Sequence, residues 1–226
     1  MTIGRSSRWL SNLKDIDNEL ISCVTRVWPT VIARLTIDAK EDKITERLVD
    51  LLRKDGGIVK LGFLCLQFKL REEDRLGDFT TKGILDMALF LDQDHERYIA
   101  YECKRLNVID ATGKRIRSLA DAYAKEGIMR YVTAKYAERL PYGCMIGYVM
   151  DGDSAFAFQQ LKTAIVKRKD LHLASQAIDS STSPSYTSFE TTHKRQSNQS
   201  IITVRHRLLS MRPNSYNNRD TFKRHR

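Results

Sequence analysis

Three side chains with the chemistry of a metal site lie near one another in the chain, at Asp86, Glu102 and Lys104. The stretch 83–104 reads as a hairpin: an apolar strand carries Asp86, and a second strand ends in Glu102-Cys103-Lys104. Because side chains of a strand alternate between its faces, Glu102 and Lys104 point one way and Cys103 the other. A carboxylate from the neighbouring strand beside that pair is the arrangement needed to hold a divalent metal ion next to a lysine.

A simpler interpretation of the same residues remains open. A Glu-x-Lys pattern is common in charged proteins, and Glu102 and Lys104 also fit a solvated pair at a strand end. Asp86 argues against this, since it lies between Leu85 and Met87 in an otherwise uncharged strand. A carboxylate in such a place costs stability unless it is paired or bound to a metal.

The elements that must position these residues follow the order helix, three strands, helix, strand, helix, strand, which predicts an α/β domain with a mixed sheet flanked by helices. We predict an N-terminal helical segment over 1–39, a domain over 40–209 and a basic tail over 210–226. Within them we expect helices at about 8–35, 39–54, 118–140 and from 153 onward, and strands at about 61–69, 84–91, 97–104, 144–150 and 201–209. The segments 71–81 and 175–200 are polar and are predicted as loops. His193 and His206 fall in or near the last strand region and are expected to be ordinary loop or edge histidines rather than catalytic ones.

Composition limits the functional classes. The 226 residues carry a net charge of +10, and the basic excess lies after residue 113, with 20 Lys and Arg against 9 Asp and Glu. A basic half of this kind fits an acidic partner, most commonly a nucleic acid backbone, although many basic proteins bind nothing anionic in particular. No apolar run approaches the ~18 residues of a membrane span, so no membrane association is expected. Four cysteines without CxxC spacing predict reduced thiols in a cytoplasmic protein.

Two motifs carry a resemblance to a known family. Thr45-Glu46 lies about ten residues before Gly56, and the string Glu102-Cys-Lys-Arg105 ends a strand. With Asp86, the acidic helix upstream and the helix and strand downstream, the chain resembles the PD-(D/E)XK nuclease superfamily, closest to its Mrr-like members, over about residues 40–150. Leu85 stands where the superfamily's name has proline.

The resemblance implies a restriction-endonuclease-like fold and a Mg²⁺- or Mn²⁺-dependent deoxyribonuclease. It implies that Asp86 and Glu102 hold the metal ion, with the carbonyl oxygen of Cys103 as a further ligand. Lys104 would position the attacking water and offset phosphate charge. Glu46 would reach the site from its helix, although it lies well round that helix from the apolar stripe.

Basic side chains provide candidate contacts to nucleic acid. We select Lys125, Arg130 and Lys135 on the helix predicted at 118–140, and the run Lys167-Arg168-Lys169. A solvated helix face and solubility are the alternatives. No nucleotide-binding glycine loop appears, so any energy-driven step requires another protein.

The expected function is DNA hydrolysis by a subunit of a prokaryotic restriction or antiphage defence system. An ATPase or helicase partner would supply recognition, and a homodimer would account for two cuts across a duplex. Two alternatives stay open. One is an inactive nucleic-acid-binding or assembly subunit that keeps the fold, and the other is an RNA-cleaving effector.

Overall fold

A computed structural model of the chain describes residues 6–73, 75, 77–93, 95–175, 178–183 and 185–212, with side chains from residue 12 onward. It contains a seven-stranded mixed sheet with helices on both faces and a helix at the N-terminus, so the α/β prediction is confirmed. The end of the tail, 213–226, lies outside the described residues. Among the helices described, none is long and apolar enough to cross a membrane.

The strands are β1 (Phe63–Glu73), β2 (Phe79–Phe90), β3 (Tyr98–Leu106), β4 (Val108–Ile109), β5 (Arg115–Arg117), β6 (Tyr142–Val149), β7 (Ser180–Thr182), β8 (Tyr186–Lys194) and β9 (Ile201–Ser210). The helices are α1 (Ser6–Ile32), α2 (Glu41–Leu52), α3 (Gly56–Leu61), α4 (Ala120–Ala122), α5 (Met129–Val132) and α6 (Ser154–Lys167). A π-helical turn (Tyr123–Ile128) joins α4 to α5, and we call these three pieces together, 120–132, the central helical segment. A 3₁₀ turn (Lys169–Leu171) follows α6.

The large sheet has the strand order β1-β2-β3-β6-β9-β8-β7, and β4 pairs with β5 in a separate small hairpin. Short connections make β1, β2 and β3 antiparallel neighbours, while β3, β6 and β9 run parallel. Parallel neighbours need a crossover, which the central helical segment supplies between β3 and β6. Every residue of β6 is buried, as expected for a strand covered on both faces.

Two apolar layers enclose the sheet. On one face α1, α2 and α3 pack against side chains such as Tyr101 and Cys103. On the other face the central helical segment and α6 pack against side chains such as Leu106 and Met145. Glu102 and Lys104 alternate with Tyr101 and Cys103 along β3, so they belong to the face of the central helical segment.

α1 is fixed to the sheet through the fully buried carboxylate of Asp17. Its two oxygens accept hydrogen bonds from the hydroxyls of Tyr101 and Tyr142 at 3.0 and 3.2 Å. Its Oδ2 atom also forms ion pairs with Arg205 and Arg207 on β9, at 2.9 and 3.1 Å. The negative charge is therefore compensated on several sides, as a buried ion requires. The N-terminal helix shares the core of the sheet and continues through Pro29 to Ile32.

The helix predicted at 118–140 is shorter than expected. It ends at Val132, and turns follow in which Ala134 and Ala137 have φ of 58° and 51°. The buried Arg195 donates a 2.6 Å hydrogen bond to the carbonyl oxygen of Ala137. A side chain from a distant loop thus donates to a backbone carbonyl group that would otherwise accept a helical hydrogen bond. The apolar pattern of the segment does not contain this contact.

The loop predictions at 71–81 and 175–200 were wrong in large part. The first holds the ends of β1 and β2, and the second holds β7 and β8. Burial alternates strictly along β8, with Thr187, Phe189, Thr191 and His193 inside. Its serine and threonine content suggested a loop, but alternation with burial on one face is the mark of a strand.

The histidines predicted as loop or edge residues lie on β8 and β9 and are fully buried in one chain of hydrogen bonds. His193 Nδ1 donates to the carbonyl oxygen of Leu171 at 2.8 Å, so its Nε2 must accept from the Thr191 hydroxyl at 2.8 Å. Thr191 then accepts from His206 Nε2 at 2.8 Å, and His206 Nδ1 accepts from the Tyr123 hydroxyl at 3.0 Å. Both rings are neutral in this arrangement.

Asp17→Asn is expected to destabilise the protein, because it leaves the buried guanidinium of Arg207 and the half-buried guanidinium of Arg205 short of negative charge. Breaking a buried ion pair from one side costs about 3–5 kcal/mol, measured as the free energy of unfolding in urea. Asp15→Asn on the exposed side of the same helix is the matched control and should change little. Equal, small losses in the two variants would show that the buried contacts do not fix α1.

Acid should destabilise the protein through His193. Burial lowers the pKa of His193 to about 4, whereas an unfolded histidine titrates near 6.5. The stability from the neutral ring is therefore complete above pH 6.5 and is lost as pH falls towards 4. Between pH 7 and pH 5 the wild type should lose about 2 kcal/mol more than His193→Gln. Parallel unfolding free energies at both pH values would contradict this.

Candidate active site

The open edge of β3 organises the site. β2 pairs with β3 only from Met87 to Phe90, so beyond Tyr101 the N–H groups on that edge have no neighbouring strand. The carboxylate of Asp86 accepts from the Cys103 N–H at 2.6 Å. Carboxylates thus take the place of a strand, because backbone groups that are partly buried require acceptors.

A second carboxylate serves the next N–H group on this edge. Glu41, in the first turn of α2, accepts from the Arg105 N–H at 2.8 Å through Oε2. Its other oxygen, Oε1, accepts from Lys104 Nζ at 2.8 Å. Glu41 therefore connects the start of α2 to both the backbone and the lysine of β3.

The Lys104 ammonium is the centre of the arrangement. Its Nζ lies 2.7 Å from Glu102 Oε1 and 4.0 Å from Asp86 Oδ2, and it donates to the carbonyl oxygen of Cys103 at 2.9 Å. The three residues selected from the sequence, Asp86, Glu102 and Lys104, are brought together in one pocket. The pocket also contains Glu41, which sequence reasoning missed.

Glu102 is fully buried, and Arg130 binds its second carboxylate oxygen. Arg130 Nη1 lies 2.9 Å from Glu102 Oε2 and also donates to the Tyr136 hydroxyl, which donates in turn to the carbonyl oxygen of Ile84. Arg130 was selected as a contact to nucleic acid, and it lies at the pocket with 31% of its side chain exposed. It holds Glu102 in one orientation.

A glycine lets the central helical segment approach this carboxylate. A Cβ at Gly127, in the π-helical turn, would lie 3.8 Å from Glu102 Cγ and 2.3 Å from the Met145 Cε atom. The side chain of Met145 would have to move to admit it. Single π-helical turns occur frequently at functional sites, and here the turn faces Glu102.

The charges of the pocket do not balance, since three carboxylates face the cations of Lys104 and Arg130. Burial, and then the neighbouring Asp86, raise the pKa of Glu102 to about 7, against the opposing effect of Lys104. Burial also raises the pKa of Asp86. Burial alone would lower the pKa of Lys104, but attraction to Glu102, Glu41 and Asp86 outweighs it and raises that pKa. The lysine is therefore charged and the carboxylates are short of positive charge.

Glu46 does not reach the pocket. Its side chain is 49% exposed and pairs with Lys43 at 2.9 Å, so its assignment as the helix carboxylate of the site was wrong. Glu41 lies five residues earlier, about 140° around the helix from Glu46. The buried Ile44 and Leu48 fix which face of α2 meets the sheet. Position in the first helical turn was the signal for Glu41, since that turn reaches the end of β3.

The thiol of Cys103 is buried on the opposite face of the sheet, as alternation predicted, while its carbonyl oxygen faces Lys104. Oxygen atoms of Asp86, Glu102 and this carbonyl form the donor set that the resemblance implied for a metal ion. Within the described part of the chain, no group of three or more His, Cys, Asp or Glu side chains is arranged to hold one. The lysine ammonium lies among the oxygens instead.

The remaining basic candidates lie outside the contacts of the pocket. Lys125 is exposed on the central helical segment, and the exposed Lys135 lies against Gly83 of β2. The run 167–169 follows the end of α6, where Arg168 pairs with Asp170 at 2.5 Å. Across the residues the structure describes, no hydrogen bond or ion pair joins this run to the pocket.

A cleft of about 520 Å³ lies beside Lys104, between the start of α2, the end of β5 and the central helical segment. Its lining consists of Lys40, Glu41, Asp42, Lys104, Arg105, Arg117, Leu119, Ala122, Tyr123 and Glu126. Glu41 and Lys104 of the pocket therefore reach a space whose walls carry both positive and negative side chains.

Comparison with known proteins gives no assignment, because no family model, curated protein or solved structure matches the chain.

Glu41→Gln is expected to destabilise the protein by about 1–3 kcal/mol, because it weakens the acceptors of Lys104 and of the Arg105 N–H. Glu46→Gln on the same helix is the matched control and should have little effect, since Glu46 is exposed. Urea unfolding of both variants measures the difference. Equal stability of the two would show that Glu41 does not hold the end of β3.

Proposed function

We propose that the protein is a metal-dependent nuclease that hydrolyses phosphodiester bonds of DNA. One observation carries the proposal: Asp86 and Glu102, from adjacent strands, meet around the ammonium of Lys104, which lies 2.7 Å from Glu102 and 4.0 Å from Asp86. Two carboxylates and a lysine in one partly open pocket are the groups that phosphodiester hydrolysis needs.

The order of elements supports the same proposal. α2, the three strands β1 to β3, the central helical segment and β6 follow one another as helix, three strands, helix and strand. This is the order on which the resemblance to PD-(D/E)XK nucleases rests, and Asp86 and Glu102 lie on its second and third strands. Fold alone does not determine function, so the pocket carries the argument.

The residues present fit Mg²⁺ or Mn²⁺ in their chemistry. Hard divalent ions prefer oxygen ligands and keep several waters, so the carboxylates of Asp86 and Glu102 with the carbonyl oxygen of Cys103 are suitable donors. The excess of carboxylates over cations in the pocket favours an added positive charge. When bound, such an ion would polarise the phosphoryl oxygen and acidify a water molecule.

The protein's own groups would perform the remaining tasks. Arg130 fixes Glu102 through one oxygen, so the orientation of this donor is set before substrate arrives. Lys104 carries the positive charge that offsets a phosphate and holds a water, and Glu41 keeps it in place. Lys125, Lys135 and the run 167–169 would contribute contacts to the phosphate backbone, which position the substrate without reading sequence.

A second candidate function is an inactive subunit that binds nucleic acid or assembles with other proteins. The position of Lys104 between the carboxylates favours this second function, because the lysine by itself compensates part of their negative charge. An RNA-cleaving effector shares the chemistry of the first proposal. For the active enzyme we propose a cytoplasmic setting in restriction or antiphage defence, with an ATPase or helicase partner and a homodimer.

The decisive experiment is cleavage of supercoiled plasmid with Mg²⁺ or Mn²⁺, beside single-stranded DNA and RNA. Asp86→Asn, Glu102→Gln and Lys104→Ala should each reduce the rate by at least about 100-fold, since each removes a group at the reacting phosphate. Glu41→Gln should reduce the rate, whereas Glu46→Gln should retain it. Addition of EDTA should abolish cleavage by the wild type.

Two outcomes would overturn the proposal. Cleavage that persists in all three pocket variants would place the activity outside this pocket. Metal-dependent binding of nucleic acid with no turnover, also in the presence of co-purified partners, would favour the inactive subunit. Cleavage of RNA alone would replace DNA with RNA as the substrate and leave the site unchanged.

A further inference from the structure

The cleft beside Lys104 has a feature that the proposed reaction does not use. Three basic side chains, Lys40, Arg105 and Arg117, line it in addition to the lysine of the pocket. They come from separate elements: the residue before α2, β3 and the end of β5. The fold therefore gathers cations from distant parts of the sequence around one space.

These cations are not engaged by carboxylates. In the described chain neither Lys40 nor Arg117 forms an ion pair, and both side chains are exposed. Among the described residues, Arg105 Nη1 donates to the carbonyl oxygen of Ala39, at 3.2 Å, and to no carboxylate. Exposed basic residues elsewhere often find a partner, as Arg26 does with Asp55 at 2.8 Å. The charges at the cleft are thus available to an anion from outside.

The wall that carries Arg117 is held in place. In the same small hairpin Arg115 pairs with Asp151 and, at 2.9 Å, with Asp153, both in the turn before α6. The guanidinium of Arg115 also stacks 3.8 Å from the ring of Phe156. At the start of the hairpin the buried Asn107 donates to Asp151 at 2.9 Å. Contacts within the protein therefore anchor the hairpin whose end carries Arg117.

The wall formed by the start of α2 also favours an anion, but more weakly. No side chain caps the N-terminus of α2, so its first N–H groups and the positive end of the helix dipole accompany Lys40. Two exposed acids, Asp42 and Glu126, also line the cleft and limit its positive charge. With a volume of about 520 Å³, the cleft suits a short stretch of backbone rather than a duplex.

We propose that this cleft binds the phosphates of a single nucleic acid strand, with Lys40, Arg105 and Arg117 as their ligands. The strand then continues from the cleft to Lys104, which places the phosphates beside the bond that is cut. That last placement rests on the proposed nuclease function, whereas binding in the cleft does not.

The test is fluorescence anisotropy of a labelled single-stranded oligonucleotide in EDTA, so that no cleavage occurs. The double variant Lys40→Gln, Arg117→Gln should bind at least about 10-fold more weakly than the wild type at low salt. The slope of log affinity against log salt concentration should fall by about 0.7 for each cation removed. The double variant Arg34→Gln, Lys60→Gln, at exposed positions away from the cleft, should bind as the wild type does.

The Tm of both double variants should match that of the wild type, because all four side chains are exposed. Unchanged affinity and an unchanged salt slope in the cleft variant would overturn the inference. An equal loss in the control variant would also overturn it, since binding would then reflect overall charge. A duplex that binds more tightly than the single strand through the same two residues would contradict the single-strand assignment.

Plasmid cleavage separates this inference from the proposed function. If the wild type cuts DNA and the cleft variant binds and cuts unchanged, the nuclease stands and the cleft assignment fails. If no cleavage occurs under any condition but the cleft variant loses affinity, the cleft stands and the nuclease fails.

Discussion

The open edge of β3 is the constraint on which the site depends. β2 pairs with this strand only from Met87 to Phe90, so the N–H groups of Cys103 and Arg105 lack a neighbouring strand. Carboxylates of Asp86 and Glu41 supply the missing acceptors. A sheet edge that would otherwise invite another chain is closed by acidic side chains. The same requirement of the backbone brings negative charge to the end of a central strand.

That concentration of charge determines the rest of the pocket. Glu102 is buried between the sheet and the central helical segment, where it is stable only with Lys104 on one oxygen and Arg130 on the other. Arg130 in turn needs Tyr136, which lies in the turns beyond Val132. The side chains that keep Glu102 stable in the fold are therefore also those that determine the charge of the pocket. Clusters of buried charges with perturbed pKa values are typical of functional sites, although ion-pair networks that only stabilise a fold also produce them.

The sequence was sufficient for much of this arrangement and insufficient for the rest, for physical reasons. Alternation along β3 correctly separated Glu102 and Lys104 from Cys103. The apolar neighbours of Asp86 predicted a carboxylate that is paired or bound to a metal, and its carboxylate accepts from the Cys103 N–H. The helix carboxylate was misassigned, because Glu46 and Glu41 differ only in rotation about α2, which the sheet decides. The end of the central helical segment depends on Arg195, more than fifty residues away, and no local pattern contains such a contact. Serine and threonine in β8 concealed a strand, since their polarity suggested a loop while burial on one face followed the strand period.

The buried carboxylate of Asp17 has a consequence for how the chain is made. Its ion pair with Arg207 joins residues 190 positions apart, so the first helix cannot complete its docking until the last strand has left the ribosome. At synthesis rates of about 5–20 residues per second, α1 must wait for roughly 10 to 40 s. During that interval Asp17 lacks Arg207, one of the partners that its carboxylate has in the folded protein. The order of synthesis thus makes the docking of α1 depend on a strand that is made 190 residues later.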